Sequence, residues 1–306
     1  MPTDNTKSPG VKLLLIIACS VVALILFQFI GLGLITLFGS DSLETISEKI
    51  VYPFGSPDFK WVILILQGIV SLGGFILAPL FYIWKFEKAD FDGYFNTKNL
   101  KEGPVLLVFF LVISLMFVNS VFIEWNMNIE FPEIMSGFGN WAREKEDLLE
   151  QLTKYITVFD SGGYFFLAFV VVAIIAGFGE ELLFRGLIQN QIQKITGNPH
   201  MAIWISAILF SAFHMQFFGF VPRMLLGAFF GYLYVFSGNI WYPILAHFIN
   251  NGFTLIMVYL YQSRITGYDI EQTESIPPML LAVFFIIGSG LFYLFYKQVN
   301  PNTKNE

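Results

Sequence analysis

Charge is scarce in this chain. Only 13% of its 306 residues are Asp, Glu, Lys or Arg, against about 25% in an ordinary soluble domain. That shortage, beside 56% hydrophobic residues, excludes a soluble globular protein. Basic charge is scarcer still, and the net charge of -6 leaves no electrostatic footprint for nucleic acid. Cysteine occurs once, at Cys19 in the first apolar run, so no internal disulfide can form and the redox compartment is undetermined. Histidine occurs three times, and no His-Glu-x-x-His pattern is present, which removes the two-histidine zinc motif carried on one helix. No internal repeat, low-complexity tract or soluble second domain is visible.

What is present is hydrocarbon, including 36 phenylalanines and a mean hydropathy of +0.66. A membrane span needs about 20 mostly apolar residues. Eight runs qualify: Val11 to Phe38, Trp61 to Trp84, Pro104 to Ile123, Gly163 to about Leu187, about Met201 to Phe218, Phe220 to Phe236, Ile240 to Tyr261 and Pro278 to Tyr296. The expected fold is therefore an all-α polytopic bundle of about eight transmembrane helices. The first run is too long for a signal-peptide core. Trp61, Trp84, Trp125 and Trp241 lie near span ends, where indoles favour the interface.

Lysines set the expected orientation. Lys7, Lys12, Lys85, Lys88, Lys98, Lys101, Lys194, Lys297 and Lys304 all fall on one side of an eight-span arrangement. The opposite loops lean acidic, with Asp41, Glu44, Glu48, Asp58, Glu144, Glu146, Asp147, Glu150, Asp269, Glu271 and Glu274, although Lys49, Lys60, Arg143, Lys145, Lys154 and Arg264 are there too. The positive-inside rule then places both termini in the cytoplasm. In the longest loop, Leu148, Leu152, Ile156 and Phe159 recur at spacings of three and four, which predicts an amphipathic helix between Trp141 and Phe159; a simple tether is the competing reading. The polar tails, Met1 to Gly10 and Asn300 to Glu306, are read as disordered.

Ionisable groups inside apolar runs are costly, which makes them functional candidates. Glu180 and Glu181 are adjacent, about 100° apart on a helix, so separate roles are expected. Glu181 stands four residues before Arg185, the spacing of a same-face ion pair, leaving Glu180 to face elsewhere. On these residues alone, charges at a span end explain the group equally well. The stretch Thr196-Gly197-Asn198-Pro199 breaks the helix. A hairpin centred on Gly197 sets Glu180 and His214 each about 17 residues, or about 25 Å, from the turn, at matching depth, which favours a pair over the competing reading of His214 as a lone core histidine bonded to a backbone carbonyl. Phe210 lies one turn before His214, where a plain core phenylalanine is the competing reading. His247 and Asn251 share one face of the seventh span, with Asn250 competing for the second place; polar glue between helices is the alternative. His200, in the turn, reads as a surface residue. Gly227 and Gly231 read as close helix packing.

A carboxylate beside an imidazole in a dry pocket can hold and deprotonate water, and N–H donors from His247 and Asn251 can stabilise an oxyanion. No serine or cysteine nucleophile is placed, so direct attack of water on an amide carbon is the chemistry expected. The three motifs, Glu180-Glu181-Leu-Leu-Phe-Arg185, Phe210-Ser-Ala-Phe-His214 and His247-Phe-Ile-Asn-Asn251, resemble the signature of the CAAX prenyl endopeptidase and bacteriocin-processing family, also called Abi or CAAX-protease-like. The resemblance covers roughly residues 164 to 256. It implies an intramembrane endopeptidase, with Glu180 as the water-activating base, His214 beside it, His247 and Asn251 as oxyanion donors, and Glu181, Arg185 and Phe210 in support.

The expected organisation is 1–162 (three N-terminal spans and the acidic outer loop), 163–262 (catalytic core) and 263–306 (last span and tail). No cofactor is favoured; the alternative is zinc held by Glu180, His214 and His247, with a fourth position for water. The expected partners are the lipid bilayer and a membrane-associated protein or peptide substrate, whether a prenylated CAAX protein, a maturing peptide or another membrane target, in a bacterial inner membrane. Two other functions stay open: a non-catalytic immunity or scaffold protein on the same fold, and a transporter relaying protons through Glu180 and His214.

Overall fold

The computed structural model describes residues 7–95, 97, 100–270 and 277–300. The ends of both tails, with Lys98, Lys304, Glu271 and Glu274 used above, lie outside the described residues. Among the described residues the protein is helical, with no strand. Seven helices are long and apolar enough to cross a membrane: α1 (Pro9–Phe38), α3 (Phe59–Glu87), α5 (Glu102–Met127), α7 (Gly162–Thr196), α9 (Phe220–Ser237), α10 (Trp241–Gln262) and α11 (Pro278–Val299). Between them lie α2 (Leu43–Val51), α4 (Phe91–Phe95), α6 (Ser136–Ile156) and α8 (Pro199–Phe213). This is the all-α polytopic bundle expected, and the protein is an integral membrane protein.

The fifth apolar run is the one that differs in length. Expected to reach Phe218, α8 stops at Phe213 after 15 residues, about 22 Å of rise and short of a bilayer core of about 30 Å. His214 caps it, and Met215 takes a left-handed φ of 55°, which a helix cannot continue through. The start is equally sharp. Gly197 ends α7 at φ 66°. Asn198 then accepts hydrogen bonds from the His200 and Met201 backbone N–H groups, with Pro199 in the first helical turn.

Polarity is arranged inside out. Leu14, Val22 and Phe29 on α1, and Phe285 and Ile286 on α11, are exposed, as lipid-facing side chains must be, while Glu181, Arg185 and Gln191 are fully buried. The centre is built from α7, α8, α9 and α10. On one side α1 and α3 pack on α7; on the other, α5 and α11 pack on each other and on α9. Phe117 of α5 stacks on Phe284 of α11 at 4.0 Å.

The amphipathic segment of the long loop is a helix, α6, which begins earlier than the pattern suggested and ends at Ile156, before Phe159. Trp141 and Leu148 are exposed and Ala142 is buried. It docks over the loop that follows α8. Glu146 accepts hydrogen bonds from the Phe218 backbone N–H at 3.2 Å and the Gln216 amide at 3.3 Å, and the Arg143 guanidinium lies 3.6 Å from the centre of the Phe218 ring. Burial holds the Glu146 carboxyl above the usual glutamate range, against the lowering pull of the Phe218 N–H, Arg223 and Arg143 and with a raising push from Glu150.

A raised folded-state value means that the folded protein binds the proton more tightly than the unfolded one. Stability is then lost as pH rises through the interval between the ordinary glutamate value and the raised one. Glu146→Gln is expected to raise the thermal midpoint on the order of 1 °C above that interval and to match wild type below it. Melting curves between about pH 4 and pH 8 that differ by a constant amount would refute this.

Candidate active site

The site begins with the winding of α7. Its turns are of the wider π type at Phe169–Ile175 and again at Leu182–Gln189, leaving one ordinary stretch, Ala176–Glu181, between them. Such departures cluster at functional sites. Gly177 lies within that stretch. A Cβ there would come within 3.1 Å of the Phe248 backbone nitrogen and 3.3 Å of its Cα. Only glycine lets α7 meet the α10 backbone this closely, which puts His247 beside the two glutamates.

Glu181 and Arg185 form the expected ion pair at 2.6 Å, both fully buried. Glu181 Oε1 also accepts from His247 Nδ1 at 2.8 Å. A carboxylate paired to arginine can only accept, so the hydrogen of His247 sits on Nδ1 and the tautomer is fixed. Nε2 then points towards Glu180, whose Oε2 lies 4.0 Å away. The adjacent glutamates therefore reach different atoms of one side chain. They address the two nitrogens of one imidazole. Phe230 stacks on that ring, with centroids 5.1 Å apart and planes at 25°.

Arg185 is held on three sides. Its second terminal nitrogen donates to the Gly227 carbonyl at 2.9 Å, and its guanidinium lies 4.5 Å from the Phe210 ring centre and 5.4 Å from that of Phe230. Gly227, read above as packing alone, thus supplies an acceptor too. A Cβ there would sit 3.0 Å from that arginine nitrogen.

His214 enters from the end of α8. Phe184 and Phe210 lie equally far in sequence from Gly197, and their rings meet at 5.3 Å. Glu180 and His214 each lie four residues further from the turn, and no hydrogen bond or ion pair within 4.0 Å joins them among the described residues. His214 Nδ1 donates to the Phe210 carbonyl at 2.9 Å, leaving Nε2 as the free ring nitrogen. The Phe210 ring is 5.1 Å from His214 and 6.0 Å from His247. Phe210 is a buried core residue and also the wall between the two imidazoles.

Asn251 is placed differently. Its amide donates to the Val172 carbonyl at 2.9 Å and its oxygen accepts from Asn250 at 3.1 Å. Val172 precedes Glu180 on α7 by about 12 Å of helix, so this amide faces α7 and Asn250 orients it. Among the described residues no three His, Cys, Asp or Glu side chains gather as a metal-binding group. The free Nε2 atoms suit a metal chemically, but Glu180, His214 and His247 do not meet as a ligand set. Among the described residues, Glu180 Oε2, Glu181 Oε2, Arg185 Nε and Arg223 Nη1 are buried and have no hydrogen-bond partner. Sequence reading passed over Arg223. Its signal was available, since it is the one charged residue in the run Phe220–Ser237.

Residues 162–253 match the family model described as Rce1-like, type II CAAX prenyl endopeptidase Rce1-like. The resemblance carried by the three motifs is borne out. The chain is 27% identical over 110 residues to "Uncharacterized protein YpbD" of Bacillus subtilis (strain 168), covering 35% of this chain and 53% of that protein. It is 32% identical over 91 residues to "Putative membrane peptidase YdiL" of the same organism, covering 30% of this chain and 37% of that protein. The chain thus spans about half, or less, of the length of these curated relatives. No solved structure matches.

Proposed function

We propose that the Rce1-like segment is the catalytic centre of an intramembrane endopeptidase that cleaves a membrane-associated protein or peptide with water activated by Glu180. The observation that carries this reading is the buried Glu180 Oε2, which has no hydrogen-bond partner and faces His247 Nε2 across 4.0 Å. That separation is too long for a direct hydrogen bond and suits an oxygen shared between the two groups. Unsatisfied buried carboxylate oxygens are rare and call for a role.

In the proposed reaction a water molecule sits between Glu180 and the scissile carbonyl carbon, with His214 at the same level. Glu180 takes a proton as the water oxygen bonds to carbon, and the carbonyl oxygen becomes an oxyanion. His247 and Asn251, the pair on α10, are the donors assigned to it. His247 donates through Nε2 only when its ring carries both hydrogens, because Nδ1–H is held by Glu181. Collapse breaks the C–N bond, and Glu180 returns its proton to the leaving amine. Glu181 and Arg185 hold His247 in orientation. The support for a peptidase is this geometry together with the Rce1-like match; a bacterial inner-membrane location with both termini cytoplasmic belongs to the same proposal.

The test compares membrane peptides in cells carrying the wild-type protein and Glu180→Ala at equal abundance. A precursor that accumulates only with the variant is the expected result and identifies the substrate. Identical profiles, with an intact phenotype, would favour the non-catalytic immunity or scaffold role.

A further inference from the structure

The donor capacity assigned to the oxyanion is largely occupied. His247 Nδ1–H is held by Glu181, so the neutral ring offers a lone pair at Nε2. One hydrogen of the Asn251 amide is held by the Val172 carbonyl, eight residues before Glu180 on α7. The charge of Arg185 is balanced by Glu181. Negative charge developing on a carbonyl oxygen near Glu180 needs another donor, and α9 supplies one.

Arg223 stands one turn before Gly227, whose carbonyl holds Arg185, so α9 brings both arginines to the centre. One terminal nitrogen of Arg223 donates to Gln216 Oε1 at 2.7 Å. The other, Nη1, is buried and has no partner. Among the described residues Arg223 makes no ion pair within 4.0 Å, yet it lies within electrostatic reach of Glu180, His214 and Glu146. An orphan guanidinium N–H and an orphan carboxylate oxygen thus lie within electrostatic reach of each other with no ion pair between them. Leaving both unpaired is costly unless something between them uses both. A peptide carbonyl under attack is such a group, because its carbon receives the water that Glu180 deprotonates while its oxygen acquires charge.

We propose that Arg223 presents its Nη1–H to the scissile carbonyl oxygen and carries the negative charge that forms there when water adds. Gln216 is the positioning residue, since it fixes the other half of the fork. The inference rests on the peptidase reading above. Bonds balance as in that reaction: Arg223 keeps its proton throughout and contributes a hydrogen bond that strengthens as C=O becomes C–O⁻.

The experiment uses the full chain in lipid vesicles and, as probe, the precursor that accumulates in Glu180→Ala membranes. Arg223→Gln is expected to lower kcat by about 10²–10³-fold with KM held within about threefold, and Arg223→Lys to recover part of the loss. In Arg223→Ala, millimolar guanidinium ion is expected to restore turnover, which a merely structural arginine would not allow; this arm also decides the matter if Arg223→Gln inserts poorly. Wild-type kcat in Arg223→Gln, a change confined to KM, or no guanidinium rescue would each overturn the role of Arg223 while Glu180→Ala stays inactive. If Glu180→Ala accumulates no precursor, the peptidase reading itself fails, and the proposal falls with it.

Discussion

Glu180→Gln is expected to lower kcat by about 10²–10⁴-fold, the usual contribution of a positioned general base, while insertion and thermal midpoint stay at or above wild type. The second half of this expectation follows from the structure. Among the described residues Glu180 has no ion pair shorter than its 4.0 Å approach to His247, and its Oε2 has no hydrogen bond to lose. An isosteric amide removes a buried charge, which is costly in an apolar medium, without stranding a partner. Turnover per inserted molecule, measured in vesicles beside a melting curve, separates the two effects. A variant that retains more than about a tenth of wild-type kcat removes Glu180 from the role of base.

Arg185→Met is expected to do the opposite, costing about 3–5 kcal/mol of stability. The substitution leaves Glu181 charged, fully buried and short of its 2.6 Å partner, and it deprives the Gly227 carbonyl of its donor. Breaking one side of a buried pair is the expensive change; replacing both sides is far less so. The double variant Glu181→Gln with Arg185→Met should therefore recover most of the lost stability and little activity, because His247 loses the carboxylate that fixes its tautomer. Denaturant unfolding in micelles checks this. A single variant within about 1 kcal/mol of wild type, or a double variant no better than the single, contradicts the account of the pair.

The legible parts of the sequence were the local ones. Apolar runs gave the helices, Gly197-Asn198-Pro199 gave the hairpin, and the spacing of Glu181 and Arg185 gave their ion pair. Each depends on neighbours within a few residues or on one turn. The parts missed depend on helices far apart in the chain. Glu180 and Glu181 were expected to take separate roles; that both reach the same imidazole is decided by His247, on α10. The Phe230 stack on His247 joins α9 to α10, and no periodicity announces it. Asn251 keeps its predicted face of α10 but meets Val172, which only the helix crossing at Gly177 decides. The length of α8 turned on Met215, whose left-handed backbone is not written in residue type.

The order of the pieces along the chain has a temporal consequence. The acid arrives on α7, the first imidazole at the end of α8, Arg223 on α9 and His247 on α10. A ribosome that has delivered Glu180 to the bilayer must still insert two further hydrophobic segments before the second histidine exists. Under the proposed peptidase reading, a nascent or prematurely terminated molecule would lack His247 and so be inert towards the lipids and proteins around it until α10 has been inserted.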